Sequence, residues 1–343
     1  MIESKRAVFF GELLMRLATQ RCERFVQARE FVVGYTGAEA NAAVSLANYG
    51  MNAFVVSVVP DTEIGNACVN YLRQFGVNTD YVLRGGDRLG TFYLESGAAQ
   101  RPSKVIYDRA HSSITGLKPG MVDWEKVFHG KHWFHWSGTA PALGASMAET
   151  TQEACAAAKR GGLTVSCDLN YRRKLWTPEK ARRVMTGLMQ YVDVLLGNEE
   201  DSAIILGVAA KGVDVAKGEL SAERYKEVAA ELHRRFGFKY VATTLRASLS
   251  ASENGWSCLL FDGQNYYPSR EYRIWVVDRV GAGDAFSGGL IYSLLSGMSG
   301  QDAVEFAAAA SCLKHSIHGD FNQVSRDEVL ALVRGSGSGR IQR

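Results

Sequence analysis

The stretch Asp278-Arg-Val-Gly-Ala-Gly-Asp-Ala-Phe-Ser-Gly-Gly289 decides the reading of this chain. It follows an apolar run, Ile274-Trp-Val-Val277, which reads as the end of a strand. It leads into Phe286, Leu290 and Leu294, spaced four apart as on one face of a helix. Gly281, Ala282 and Gly283 stand at the join, where small residues permit a sharp turn and close approach of a ligand. The helix N-terminus beyond them offers unpaired N–H groups and partial positive charge, a seat for phosphate. Asp284 sits at that end, where a carboxylate either caps the helix or accepts a proton. An anion cradle beside a proton acceptor is what moving a phosphoryl group onto a hydroxyl requires.

The rest of the chain suits an α/β domain. Its 343 residues suffice for one large domain or two smaller ones, and 46% hydrophobic content is ample for a core. A net charge of +3 without a dense basic run argues against nucleic acid or an anionic membrane as the main partner. No apolar stretch approaches a membrane span, and the N-terminus lacks a signal-peptide pattern, so a cytoplasmic location is expected. Six cysteines without a Cys-x-x-Cys pair are expected to be reduced thiols.

Strand-like runs at 7–10, 53–59, 132–136, 164–169, 192–196, 240–245 and 256–261 alternate with helical patterns at 65–76, 149–160, 178–191 and 222–236. This alternation predicts a doubly wound, mostly parallel sheet flanked by helices. Residues 13–33 and 88–110 break it. Phe25-Val26, Phe31-Val-Val33, Leu89-Gly-Thr-Phe-Tyr-Leu94 and Lys104-Val-Ile-Tyr107 read as a small projecting sheet. Thr36-Gly37-Ala-Glu-Ala-Asn41 opens a further helix, and Ser325 with Glu328 matches a capping box before a last one. The domain is expected to end near 334, and the Gly/Ser-rich, basic tail 335–343 to be mobile.

Two arginines suggest the substrate. Arg109 follows Tyr107 on the projecting sheet, and Arg172 follows Asn170 at the carboxyl end of the 164–169 strand, where open α/β sheets bind ligands. A guanidinium pairs with a carboxylate through two parallel hydrogen bonds, which suits a ligand that carries a carboxylate.

The 278–289 string resembles the C-terminal signature of the ribokinase-like (PfkB) carbohydrate kinases. The resemblance implies that Asp284 is the catalytic base and that the amides of Gly281, Ala282 and Gly283 form the anion hole. Gly37-Ala-Glu-Ala-Asn41, Tyr107-x-Arg109, Ser137-Gly-Thr-Ala-Pro-Ala-Leu143 and Asp168-Leu-Asn-Tyr-Arg-Arg-x-Leu-Trp176 resemble its 2-keto-3-deoxygluconate kinase branch, over roughly 8–332. That branch implies a sugar acid bordered by Gly37, Asn41, Tyr93, Tyr107, Arg109, Thr139, Arg172 and Asp320. Asn170, Arg172, Asn198, Thr244 and Arg246 would approach the nucleotide, together with Gly281 and Gly283. The small sheet would be a lid and often a dimer contact, so a homo-oligomer is expected. ATP and Mg2+ are the implied cofactors, with no metal ligand assigned.

Two positions depart from the family. Asn198-Glu-Glu-Asp201 carries aspartate where relatives have glutamate, with Glu199 and Glu200 as alternatives. Thr243-Thr-Leu-Arg-Ala-Ser248 lacks the Lys-x-Gly of many relatives. The activity implied is ATP-dependent phosphorylation of an alcohol group, the terminal hydroxyl of 2-keto-3-deoxygluconate. Another sugar of fructose or ribose type, and a non-catalytic sugar-acid sensor, are the alternatives. A dehydrogenase is disfavoured, because no Gly-x-Gly-x-x-Gly follows the first strand.

Overall fold

The computed structural model describes residues 5–209 and 222–335. Of the tail expected to be mobile, 335–343, residues 336–343 lie outside them. Fourteen strands are described: β1 Arg6–Phe10, β2 Leu14–Ala18, β3 Val32–Thr36, β4 Asn52–Val59, β5 Asn78–Arg84, β6 Gly90–Glu95 and β7 Lys104–Asp108, then β8 Trp133–Ser137, β9 Thr164–Asp168, β10 Val194–Gly197, β11 Tyr240–Ser248, β12 Glu253–Phe261, β13 Tyr266–Pro268 and β14 Tyr272–Trp275. The main sheet runs β13-β12-β11-β10-β9-β8-β1-β4-β5, with β14 also paired to β12. From β5 to β11 every pairing is parallel; β12, β13 and β14 join antiparallel.

The parallel strands are apolar because helices cover both faces of the sheet. Ala7, Val8, Phe9 and Phe10 of β1 are fully buried, alternating between two hydrophobic clusters on opposite faces. The chain builds outward from β1 to β4 and β5, then returns to β8 on the other side. Such a reversal opens a crevice beyond the carboxyl ends of the strands. Glu12, Thr139, Asn170 and Asn198 all stand just past such ends, after β1, β8, β9 and β10.

The antiparallel β12–β14 ribbon departs from strict strand–helix alternation, and it ends one turn earlier than the apolar run Ile274-Trp-Val-Val277 suggests. Trp275 and Val277 are exposed there. The helix Ala38–Asn48 is buried along Glu39 to Ser45 rather than on one apolar stripe. It packs on the helix Ala282–Leu295, whose other side meets the helix Gly300–Lys314. Gly288 and Gly289 make that sandwich possible. A Cβ on Gly288 would sit 2.6 Å from Ser45 Cβ, and one on Gly289 3.0 Å from Ala307 Cα. The last helix, Arg326–Val333, opens with the expected Ser325–Glu328 capping box.

The small sheet is separate, in the order β3-β2-β6-β7. Phe25 and Val26 belong to a turn between β2 and β3, not to a strand; Val26 is 79% exposed, so nothing holds it to a ladder. The inner face of the sheet carries Leu14, Ala18, Phe92, Leu94, Val105 and Tyr107, which gather with Val280 of the decisive stretch. At its far end the loop after β6 reaches the β11–β12 hairpin. The Ala99 amide donates to Ser252 Oγ at 2.9 Å, and its carbonyl accepts from the Ala251 amide at 2.7 Å.

Candidate active site

Two neighbouring cavities lie between the small sheet and the carboxyl ends of the main-sheet strands. One, of about 790 Å3, is lined by Tyr107, Arg109, His111, Leu143, Arg172 and Lys174 among others. The other, of about 610 Å3, is lined by Asn170, Arg172, Asn198, Asp201, Thr244, Arg246, Gly281, Gly283 and Asp284 among others. Val105, Tyr107, Tyr171, Arg172 and Arg173 border both. Tyr107 and Arg172 therefore stand where the two spaces meet.

Gly281 begins the helix Ala282–Leu295 with φ of 84°, a left-handed conformation that glycine adopts without strain. A Cβ there would lie 2.0 Å from the carbonyl oxygen of Asp320. The first intrahelical bond, Ala285 N–H to Gly281 O at 2.8 Å, leaves the earlier amides at the open helix end. Gly281 and Gly283 line the 610 Å3 cavity, as does Asp284. Ala282 is buried and its amide turns toward the Arg279 carbonyl at 3.4 Å, so it does not line the cavity.

Asp284 is partly buried, and its Oδ2 accepts from Asn41 Nδ2 at 2.6 Å. Its carboxyl is pushed up to about 8, first by burial and then by the nearby charges of Asp168 and Glu39, with Asn41 and Arg172 opposing. A free aspartate, near ~3.9, would be fully ionised at neutral pH. Burial, together with the other carboxylates that share the cleft, overturns that ordinary value here. Asp168, at the end of β9, rises to about 7 through burial and the charge of Asp201. Asp201 rises to about 6 through burial, against the Tyr171 amide and Arg172.

The other residues expected from sequence divide into those at the cavities and those behind them. Tyr107, Arg109, Asn170, Arg172, Asn198, Thr244 and Arg246 all line one or both. Asn170 takes φ of 40°, and its amide donates to Asp168 Oδ1 at 3.2 Å. Asparagine tolerates that region better than most residues. Asn198 caps the following turn, its Oδ1 accepting from the Asp201 amide at 2.8 Å. Glu200 and Asp201 line the cavity; Glu199 lies near Tyr225 instead. Arg246 lies over the Trp256 ring at 5.3 Å. Asn41 reaches the site through Asp284.

Four expected substrate contacts are placed differently. Gly37 approaches protein rather than open space, since a Cβ there would lie 2.3 Å from the Glu12 carbonyl oxygen. Thr139 is buried and lines neither cavity. Tyr93 pairs with Ile106 across β6 and β7, while its neighbour Phe92 pairs with Tyr107. Strand alternation thus turns Tyr93 to the outer face, where it meets Phe31 edge-on. Asp320 already has partners on both oxygens: Arg16 Nη1 donates to Oδ1 at 2.5 Å, and the Thr36 hydroxyl lies 2.6 Å from Oδ2.

Three charged residues to which sequence reasoning gave no role stand behind the cavities. Arg16, on β2, also donates to Asp278 Oδ2 at 2.5 Å, joining the small sheet to the start of the decisive stretch. Glu12 pairs with Arg109 and accepts from Ser112 Oγ at 2.6 Å. Buried Glu39 leaves Oε1 without a hydrogen-bond partner, and burial raises its carboxyl. A charged residue that the fold places in its interior is the available signal for each; nothing local in sequence names its partner.

No group of three or more His, Cys, Asp or Glu side chains among the described residues is arranged to hold a metal ion. Asp168 and Asp201, which line the smaller cavity, nevertheless fit a magnesium ion carried in on a nucleotide, because Mg2+ keeps waters and takes only one or two carboxylates. All six cysteines are free thiols. No helix among the described residues is long and apolar enough to cross a membrane.

Comparison with known proteins agrees with this geometry. A structure from Thermotoga maritima named 2-dehydro-3-deoxygluconokinase superposes with a TM-score of 0.93 at 48% identity, covering 96% of this chain and all of the other. The 2-dehydro-3-deoxygalactonokinase of Haloferax volcanii is 35% identical over 97% of this chain and 98% of its own. The 2-dehydro-3-deoxygluconokinase of Bacillus subtilis is 29% identical over 95% of this chain and 94% of its own. The pattern of the pfkB family carbohydrate kinases matches residues 4–325, and the chain belongs to that family.

Proposed function

We propose that this kinase transfers the γ-phosphoryl group of ATP to the terminal hydroxyl of a 2-keto-3-deoxy sugar acid, 2-keto-3-deoxygluconate foremost, giving the 6-phosphate. The observation that carries the reading is that Asp284 and Arg172 line one cavity, beside the amides at the open end of the helix Ala282–Leu295. The larger cavity, with Tyr107, Arg109 and Arg172, suits the sugar acid; the smaller suits the nucleotide phosphates. Arg172 is exposed and free to grip a carboxylate, whereas Arg109 is already paired with Glu12 and is suited to firming the wall.

In the reaction, Asp284 accepts the hydroxyl proton as the new O–P bond forms and the bond to the β-phosphate bridging oxygen breaks. The Gly281 and Gly283 region and the helix behind it stabilise charge on the moving phosphoryl group. Magnesium, when bound, neutralises phosphate charge. Asn41 holds the Asp284 carboxylate in place and favours its ionised form. Asp168 and Asp201 would hold the nucleotide's metal.

Initial rates with ATP and magnesium across 2-keto-3-deoxygluconate, 2-keto-3-deoxygalactonate, fructose and ribose test the proposal. Turnover confined to the acids supports it, and preference for a neutral sugar overturns it.

A further inference from the structure

Lys314 ends the helix Gly300–Lys314 and is 0% exposed. Its ammonium donates to two backbone carbonyls, Asp278 O at 3.1 Å and Ile317 O at 3.2 Å. One belongs to the stretch that carries the phosphate-facing amides; the other to the turn that leads to Asp320. The same two segments meet again through Gly319 N–H to Asp278 Oδ2 at 3.2 Å, and through the contact of Gly281 with the Asp320 carbonyl. Burying an ammonium is costly unless it is paired and hydrogen-bonded. Here Asp278 and Asp320 balance Lys314 and Arg16, two charges of each sign.

We propose that Lys314 is a positioning residue for phosphoryl transfer: a tethered cation that fixes the 278–283 turn against the 317–320 turn, and so presets the amides that receive the phosphoryl group. Backbone carbonyls turned inward toward one point are also how proteins strip and hold a potassium ion. Lys314 fills that role from within the chain, so turnover needs no monovalent cation. The inference rests on the kinase reading above.

The wild type is assayed first in potassium, sodium and tetramethylammonium chloride at one ionic strength. Equal rates are expected, and a several-fold gain with potassium overturns the proposal. K314M, which keeps the buried stem but not the charge, is expected to lose about 10-fold or more in kcat with the sugar KM nearly unchanged, since hydrogen bonds to a charged group are the strong ones. K314A opens room beside the two carbonyls, and potassium or ammonium should restore much of its lost kcat, which no ion does for a merely weakened fold. Wild-type kcat in K314M, or no ionic rescue in folded K314A, counts against the role. Calorimetric binding of a non-hydrolysable ATP analogue to wild type and K314M separates the two readings: weaker binding in K314M supports Lys314 even if the sugar is wrongly assigned.

Discussion

Asn41 Nδ2 donates to Asp284 Oδ2 at 2.6 Å, and Asn41 Oδ1 lies 2.9 Å from the Thr36 hydroxyl, which in turn lies 2.6 Å from Asp320. A line of polar contacts thus runs from the proton acceptor to the ion cluster behind it. Asn41→Ala removes the one side-chain donor to Asp284, so the carboxyl should become harder to ionise. The acid limb of kcat/KM is expected to move to higher pH, with the rate at alkaline pH largely kept. An unmoved limb would show that Asn41 does not tune the base.

Asp284→Asn should reduce kcat by ~10²–10⁴-fold, the range for loss of a general base. The amide keeps the size of the side chain, so ATP and sugar acid should still bind. Calorimetry alongside initial rates checks both halves; near-normal turnover would remove Asp284 from its role.

The pH dependence has a definite sign. With its carboxyl pushed up to about 8 by burial and neighbouring carboxylates, Asp284 in the free enzyme is mostly protonated near neutrality. The kcat/KM profile, which reports the free enzyme, should therefore rise with pH toward a limb near 8. Stability moves the other way. A carboxyl raised in the folded state contributes stability that is present at low pH and lost as pH rises through about 8. The melting temperature of Asp284→Asn should gain on wild type as pH rises from ~4 to about 8 and level off above that.

Arg172→Ala should weaken sugar-acid binding by more than ~1 kcal/mol, since a charge-assisted hydrogen bond is worth ~1.5–3. Neutral sugars should be little affected. An equal loss for both kinds of sugar would argue against a carboxylate at this arginine.

Arg16→Ala leaves Asp278 and Asp320 facing each other in the interior. Breaking such a buried network costs about 3–5 kcal/mol. Denaturant unfolding should show a loss of that order, and Arg16→Lys should restore little, because one ammonium cannot span two carboxylates as a guanidinium fork does.

Much of this was legible before any coordinates. The apolar runs of β1 and β4 could belong only to strands covered on both faces, and the 278–289 string announced the turn, the helix and the acid at its tip. What the string did not disclose is why it continues Ser-Gly-Gly: Gly288 and Gly289 answer to Ser45 and Ala307, far away in the chain. Tyr93 and Asp320 show the same limit. Their types suit a sugar, but strand register turns the first away, and Arg16, 304 positions from Asp320, engages the second. Long-range pairing leaves no local mark on a sequence, so buried ion pairs were the part that reading could not reach. The acidity of Asp284 is equally out of reach, because a residue's ionisation belongs to its burial and neighbours rather than to its type.

The contact between Ala99 and the Ala251–Ser252 hairpin ties the small sheet to the main one. One of its two bonds joins backbone to backbone, so side-chain replacement at 99 or 251 leaves that bond's donor and acceptor in place. Lifting the small sheet away from the main one must therefore break these two bonds or carry the β11–β12 hairpin with it.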